Sequence, residues 1–219
     1  MVEIYDAHEQ GEVVKKWLRE NGSAIVMGLV IAFGGLFGFK QWQSWQESNR
    51  QNASVEFEVM DQLLAADQLD AAMSNFQNLQ DEYADSPYTS MAALKMARAR
   101  IDVNQPDLAI GLYQYVIDNG RPQALSVVAR ERLARVLLDQ GRADEALQVL
   151  DGAKDIRGFE ARFAEVRGDI HWSQGRHDDA VTAYREALDQ LEAGLGDRST
   201  LLMKLQALGA GLPEDGIES

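Results

Sequence analysis

Hydrophobic and polar positions follow two different rules along this chain. From Asn21 to Phe39 no residue is charged, and Ser23–Lys40 reads SAIVMGLVIAFGGLFGFK, apolar on every face. A helix buried in a soluble core would show polar residues at every third or fourth place, so the run predicts a membrane span over 22–40. A cleavable signal needs small residues just past its apolar stretch, but Lys40, Gln41, Trp42, Gln43, Ser44 and Trp45 follow, so the segment is expected to stay attached as a signal anchor. Trp17 on one side and Trp42 and Trp45 on the other sit where interfacial aromatics belong, and Lys15, Lys16, Arg19 and Lys40 can reach the headgroups. Three basic residues lie close before the run and two, Lys40 and Arg50, close after it, which favours an inner N-terminus. The long translocated remainder argues the same way. Val13, Val14, Trp17 and Leu18 make a short apolar face beside the basic residues and read as headgroup-embedded.

Beyond Val55 the pattern changes to helical stripes, among them Phe57, Met60, Leu64; Leu94, Ala97, Ile101; Ala129, Leu133, Val136, Leu137; and Phe159, Phe163, Val166, Ile170. The stripes repeat. GRADEALQVLDGA at Gly141–Ala153 and GRHDDAVTAYREA at Gly175–Ala187 are 34 apart, aligning Ala146 with Ala180. Steps of 37 back from Ala146 reach Ala109 in NQPDLAIGLYQYV and Ala72 in DQLDAAMSNFQNL. This period is that of a tetratricopeptide repeat, a helix-turn-helix unit whose alanines let two helices approach closely. The turn before each copy carries Asp67, Asn104, Gly141 or Gly175, residue types that tolerate the left-handed conformation ending a helix. Four residues after each alanine stand Phe76, Tyr113, Leu150 and Tyr184. The small residue of the preceding helix is Ala97, Ala134 or Gly168, with Met60 in the first copy, which is therefore expected to be divergent or splayed.

The expectation is an all-α chain: one N-terminal transmembrane helix followed by a tetratricopeptide-repeat-like α-solenoid. Its segments are a short cytoplasmic stretch 1–21, the anchor 22–40, a helical connector 41–52, four helix pairs and a capping helix (Ser199–Leu208) within 53–208, and a disordered acidic tail 209–219. Lys40–Val55 holds neither Gly nor Pro, so one helix is expected to run from the span into the first repeat and to hold the repeats close to the bilayer.

Charge and composition narrow the function. The net charge is −14, of which residues 1–40 contribute −1 and the remainder −13, so phosphate backbones and anionic surfaces repel the larger part. No nucleic-acid partner is expected. With no cysteine, disulfides, thiolate ligands and cysteine nucleophiles are excluded. The histidines are His8, His171 and His177. The six-residue spacing of the last two does not match the i, i+4 pairing of a helical zinc site, and Asp178 and Asp179 read as first-turn acids favoured by the helix dipole. Gly194, Gly196, Gly209 and Gly211 follow no strand and lack the lysine of a phosphate loop. No catalytic constellation, cofactor or metal is expected, and the chain is read as a non-enzyme.

The segment VVKKWLRENGSAIVMGLVIAFGGLFGFKQWQSWQ, followed by an acidic tetratricopeptide-like domain, resembles the YfgM-like family of ancillary SecYEG translocon subunits of bacterial inner membranes. The resemblance implies a cytoplasmic N-terminus, one span, a periplasmic repeat domain, and association with the translocon and with a membrane-anchored periplasmic chaperone of the peptidyl-prolyl isomerase type. It implies no catalytic residues. Without it, the residues support only a membrane-anchored repeat scaffold, and a scaffold for envelope assembly or division is the alternative.

Candidate interaction residues follow from the same physics. Gly34 and Gly38, and separately Ala24, Gly28 and Ala32, offer small faces on which the span can dock another helix or a second copy, giving a homo-oligomer. Inner faces of helical repeats bind peptides, which makes Arg98, Arg130, Arg135, Arg162 and Arg167 candidates for contacting a partner or nascent polypeptide, though most are expected to be solvated or paired. Tyr113, Tyr115, Phe163 and Tyr184 read mainly as core.

Overall fold

The computed structural model describes residues 4–191 and 197–210. The expected tail from residue 211 onward, with Gly194, Gly196 and Gly211, lies outside them. Nine helices are assigned among the described residues: α1 (Ile4–Ala65), α2 (Leu69–Glu82), α3 (Pro87–Asp102), α4 (Pro106–Asn119), α5 (Gln123–Asp139), α6 (Ala143–Asp151), α7 (Glu160–Ser173), α8 (His177–Asp189) and α9 (Arg198–Ala207). The chain divides into two compact units, residues 1–51 and 52–219. The first is the N-terminal part of α1.

The second unit stacks helix pairs. α3 pairs with α4, α5 with α6, and α7 with α8, and α9 closes the series against α8; the last turns of α1 meet α2 through the shared core and the Asn75 Nδ2 hydrogen bond to Glu56 Oε2 at 2.7 Å. Every pair turns through the same chemistry. Asp67, Asn104, Gly141 and Gly175 have φ of 57°, 56°, 74° and 72°, the left-handed region. The following N–H then reaches back five residues: Gln68 to Leu63 (2.9 Å), Gln105 to Arg100 (2.8 Å), Arg142 to Leu137 (2.8 Å) and Arg176 to His171 (2.9 Å). These are Schellman closures that satisfy orphan carbonyls at a helix end. Gly209 repeats the device at φ 71°, with Ala210 N–H on the Leu205 carbonyl at 3.1 Å. That residue, read from the sequence as the start of the tail, instead terminates α9.

A Cβ placed on Gly141 meets nothing within 4 Å, so Gly141→Ala tests backbone strain alone. The substitution is expected to destabilise by about 1 kcal/mol, and Asn104→Gly to stabilise slightly, both read by urea unfolding.

The core follows the repeat register. Ala72, Phe76, Ala97, Ala109, Ala134, Ala146, Ala180 and Tyr184 are fully buried and Tyr113 nearly so, and Gly168 is buried against the Tyr184 ring. Met60 is also fully buried and joins the main cluster, which runs from Ala53 to Ile170. An unbranched side chain fills the space left where the first pair lacks a small residue. Leu150 is buried at the position where the other copies carry an aromatic ring. A second cluster joins Ala164, Tyr184, Ala187 and Leu188 to Leu201 and Leu205 of α9.

Adjacent pairs are further stitched at the turns. Gln140 Nε2 donates to Asp107 Oδ1 (3.3 Å) and Gln174 Nε2 to Asp144 Oδ1 (2.8 Å), each glutamine oxygen accepting from the arginine two residues on. At the first junction the equivalent position is Val103, exposed and unable to donate.

Candidate functional site

Two surfaces are candidates, one in each unit. In the first unit Val26, Met27, Leu29, Val30, Ile31, Phe33, Leu36, Phe37 and Phe39 all point outward, on a helix with an 18-residue window of mean hydropathy 2.0 and none of it buried. That much bare apolar surface is incompatible with water and fits a single-pass membrane protein. Gly28, Gly34 and Gly38 leave open space where a Cβ would sit, and Ala32 is exposed, so the small-residue faces are free within this unit. Trp17, Trp42 and Trp45 are exposed, as are Arg19 and Lys40. The Phe39 and Trp42 rings lie 6.0 Å apart, and Asn21 folds back onto the Trp17 carbonyl at 3.0 Å.

In the second unit the layers are distinguished by packing. α3 packs on α5 and α5 on α7, whereas among the described residues no comparable packing joins the second helices to one another, so the first helices occupy the shorter, inner arc. Charge divides the same way. α2, α4, α6 and α8 together carry twelve Asp or Glu against one Lys or Arg, Arg185, whereas α3, α5, α7 and α9 together with the last turns of α1 (residues 53–65) are close to balanced, with nine against ten. The acidity of the chain is thus concentrated on the outer layer.

An ionic ladder crosses the inner one. Lys95 pairs with Asp61 and lies 5.4 Å over the Phe57 ring. Arg135 pairs with Glu131 (2.5 Å), Glu165 (3.5 Å) and Asp169 (3.5 Å), and Lys204 reaches both Glu165 and Asp169 at 2.7 Å. Burial pulls Arg135 towards neutrality, but the hydrogen bond to Glu131 and the neighbouring carboxylates more than offset it and raise its pKa. Tyr184 Oη donates to Asp169 at 2.8 Å, and Lys204 Nζ sits 5.4 Å over its ring. This network ties α5, α7, α8 and α9 together. A cleft of about 140 Å³ beside it is lined by Arg135, Arg162, Glu165, Leu191, Asp197 and Leu201 among others.

The remaining candidate arginines are distributed differently. Arg98 pairs with Asp102 (3.0 Å), Arg130 caps the Val149 carbonyl (3.1 Å), and Arg167 pairs with Asp151 (3.0 Å). Arg162 makes no ion pair among the described residues. Tyr115 is half-buried, edge-on to Phe76 at 6.0 Å, and Phe163 is fully buried. His171 Nδ1 is buried without a hydrogen-bond partner among the described residues, and burial lowers the pKa of its ring. No group of three metal-ligating side chains assembles among the described residues. The sequence reading missed Glu131, Glu165, Asp169 and Lys204, whose clustering depends on contacts between helices far apart in the chain. The 34-residue steps from Glu131 to Glu165 and from Arg135 to Asp169 were the available signal.

Asp197 caps α9, accepting from Ser199 N–H (3.1 Å) and Thr200 N–H (3.2 Å). The Ser199 and Thr200 hydroxyls and these amides hold its carboxyl down at about 2. Because the folded pKa is depressed, its contribution is present above the ordinary aspartate range and fades as pH falls towards 2. The protection factors of the amides in the first turn of α9 are expected to fall over that window, and in Asp197→Ala to be low throughout.

The family profile described as a tetratricopeptide repeat-like domain matches residues 15–210. The chain is similar to the protein of Aggregatibacter actinomycetemcomitans named ancillary SecYEG translocon subunit, 30% identical over 208 residues covering 93% of this chain and 99% of the relative. It is also similar to the Escherichia coli (strain K12) protein of the same name, 29% identical over 193 residues and covering 84% and 88%. Among solved structures, MamA from Desulfovibrio magneticus RS-1 shares the fold alone, with a TM-score of 0.50 and 16% identity over 72% of this chain and 93% of that one. With an apolar helix, a repeat solenoid and such similarity along nearly its whole length, the chain belongs to the tetratricopeptide repeat-like family of ancillary SecYEG translocon subunits.

Proposed function

We propose that this protein is a non-catalytic inner-membrane adaptor that associates with the SecYEG translocon through its span and presents its repeats on the periplasmic side. There the repeats recruit a membrane-anchored chaperone of the peptidyl-prolyl isomerase type and support folding of chains as they emerge. Residues 1–21 are cytoplasmic, 22–40 span the membrane with Trp17, Arg19, Lys40, Trp42 and Trp45 at its interfaces, 41–52 connect, and 53–208 form the partner-binding domain. The observation that carries this reading is an uncovered apolar helix joined to a repeat solenoid, in a chain similar over most of its length to relatives named as translocon subunits. Tethering works by effective concentration, since a weak contact is well occupied when both partners are confined beside one channel.

Photo-crosslinkable residues placed at Gly34 or Gly38, and separately along α3 and α5, test it in living cells. Capture of SecYEG from the span and of a periplasmic chaperone or nascent chain from the repeats is the expected result. Adducts with other copies or with envelope-assembly proteins alone would replace this reading with the scaffold one. Because the chain has no cysteine, single cysteines introduced at Glu12 and Ser48 report orientation directly. An impermeant thiol reagent should modify only the second.

A further inference from the structure

The first helix pair differs from the other three at the seam between its two helices. Repeat steps of 37, 37 and 34 carry Glu56 and Asn75 to Ala93 and Leu112, to Arg130 and Val149, and to Ala164 and Ala183. In the second and fourth pairs both positions are apolar and buried, and in the third the Arg130 guanidinium donates to the Val149 carbonyl at 3.1 Å. In the first pair a polar demand is left unmet. Asn75 is 9% exposed, and its Nδ2 donates to Glu56 Oε2 at 2.7 Å. That bond fixes the amide's orientation and leaves its buried Oδ1 without a hydrogen-bond partner among the described residues. An orphaned buried acceptor costs free energy that an apolar side chain at the same position would not. Glu56 itself is half-buried and has no ion pair among the described residues.

The surroundings of this seam select a cation. No Lys, Arg or His lies between Arg50 and Lys95, whereas eight Asp or Glu do, and of these Asp61 alone has an ion pair among the described residues, with Lys95. Val55 and Val59, one residue before Glu56 and three after it on α1, are 59% and 41% exposed. At the other end of the series α9 covers the last pair with Leu201 and Leu205, but no described helix covers these valines. An anionic bilayer is repelled by the acids of this pair, and a second copy presents the same acids.

We infer that the seam of Glu56 and Asn75 is a binding position for a lysine or arginine side chain of a basic polypeptide segment, whose apolar neighbours cover Val55 and Val59. The half-buried carboxylate lies nearer to water than the amide it holds, so rotation of the Glu56 side chain admits the cation to both. Its first N–H meets the carboxylate, and a second supplies Asn75 Oδ1 with the donor that the fold does not. Charge complementarity sets the choice of occupant and the apolar rim its register. The inference rests on the reading of the repeats as the partner-binding domain and names the chemistry of one segment they take.

The test uses the full chain in phosphatidylcholine nanodiscs and a short, end-capped, fluorescein-labelled peptide of alternating lysine and valine, read by anisotropy against empty nanodiscs. Saturable binding, weakened by salt, is expected, and none of the peptide with glutamate in place of lysine. Glu56→Gln should weaken it roughly tenfold, whereas Asp189→Asn on α8 leaves it unchanged. Glu56→Ala with Asn75→Leu installs the apolar pair found at Ala93 and Leu112. Its melting temperature should hold or rise, because the orphaned acceptor is gone, while affinity falls at least as far as in Glu56→Gln. A purely structural polar pair would do the opposite, lowering the melting temperature and leaving affinity unchanged. Should the double variant fail to fold, Glu56→Gln, which keeps an acceptor for the Asn75 amide, decides by itself. Absence of saturation up to about 1 mM peptide, or equal affinity in Glu56→Gln, overturns the inference. Pairs of chains in one nanodisc that the double variant separates, without peptide binding, would assign the seam to a second copy and overturn it too. Recovery of SecYEG with the same chain from membranes separates the two levels: recovery without peptide binding sinks only this site, whereas loss of recovery sinks the adaptor reading.

Discussion

Tyr184→Ala is expected to destabilise the repeat domain by about 3–5 kcal/mol, as deletion of a fully buried aromatic side chain does. For a domain of this size each kcal/mol lowers the melting temperature by about 2–4 °C, so differential scanning calorimetry should show a fall of roughly 10 °C. The ring is fully buried, lies edge-on to Trp172 at 6.5 Å, covers Gly168 and carries Lys204 on one face. Its removal also deprives Asp169 of a donor. Tyr184→Phe retains the ring and loses only that hydrogen bond, about 1 kcal/mol. Gly168→Ala probes the same contact from the other side, because a Cβ there falls 2.5 Å from Tyr184 Cδ1 and 3.0 Å from Cζ. Overpacking of about 1–3 kcal/mol outweighs the helix-propensity gain of up to about 1 kcal/mol. Combining Gly168→Ala with Tyr184→Leu should be less harmful than the sum of the two, since the clash disappears with the ring. Additive losses would mean that Gly168 is not in contact with the ring.

The second large effect lies in the span. Val30→Arg and Ile31→Arg together place two guanidiniums at its centre, each costing about 2.5–3.5 kcal/mol on insertion scales. The doubly substituted chain is expected to leave the carbonate-resistant membrane fraction, whereas Met203→Arg, an equally exposed apolar position on α9, should not move it. Retention of the double variant would show that this helix is not what holds the chain in the membrane. Gly34→Ile with Gly38→Ile asks a finer question. The span remains apolar, so membrane partition should persist while crosslinking to SecYEG from this face falls, because bulk at those positions prevents close backbone approach.

The sequence by itself determined the elements whose cause is local. Nineteen consecutive uncharged residues, Asn21–Phe39, need no tertiary context to mark a span. The left-handed turns at Asp67, Asn104, Gly141 and Gly175 were legible because few residue types tolerate that conformation. The small residues at Ala97, Ala134 and Gly168 were legible because helix pairs of fixed period require close approach there. Only the tertiary structure decided which charges meet. Glu131, Arg135, Glu165, Asp169 and Lys204 lie on three helices and become one network only when α5, α7 and α9 are stacked. It also decided that Met60 fills the first pair and that Val103 leaves one junction without the glutamine stitch. The contrast between Tyr184, satisfied by Asp169, and Tyr113, with Arg98 at the position equivalent to that carboxylate, follows for the same physical reason: repeat spacing specifies which backbone positions are equivalent, but a side chain's electrostatic surroundings come from neighbouring repeats, whose residues the local pattern does not constrain.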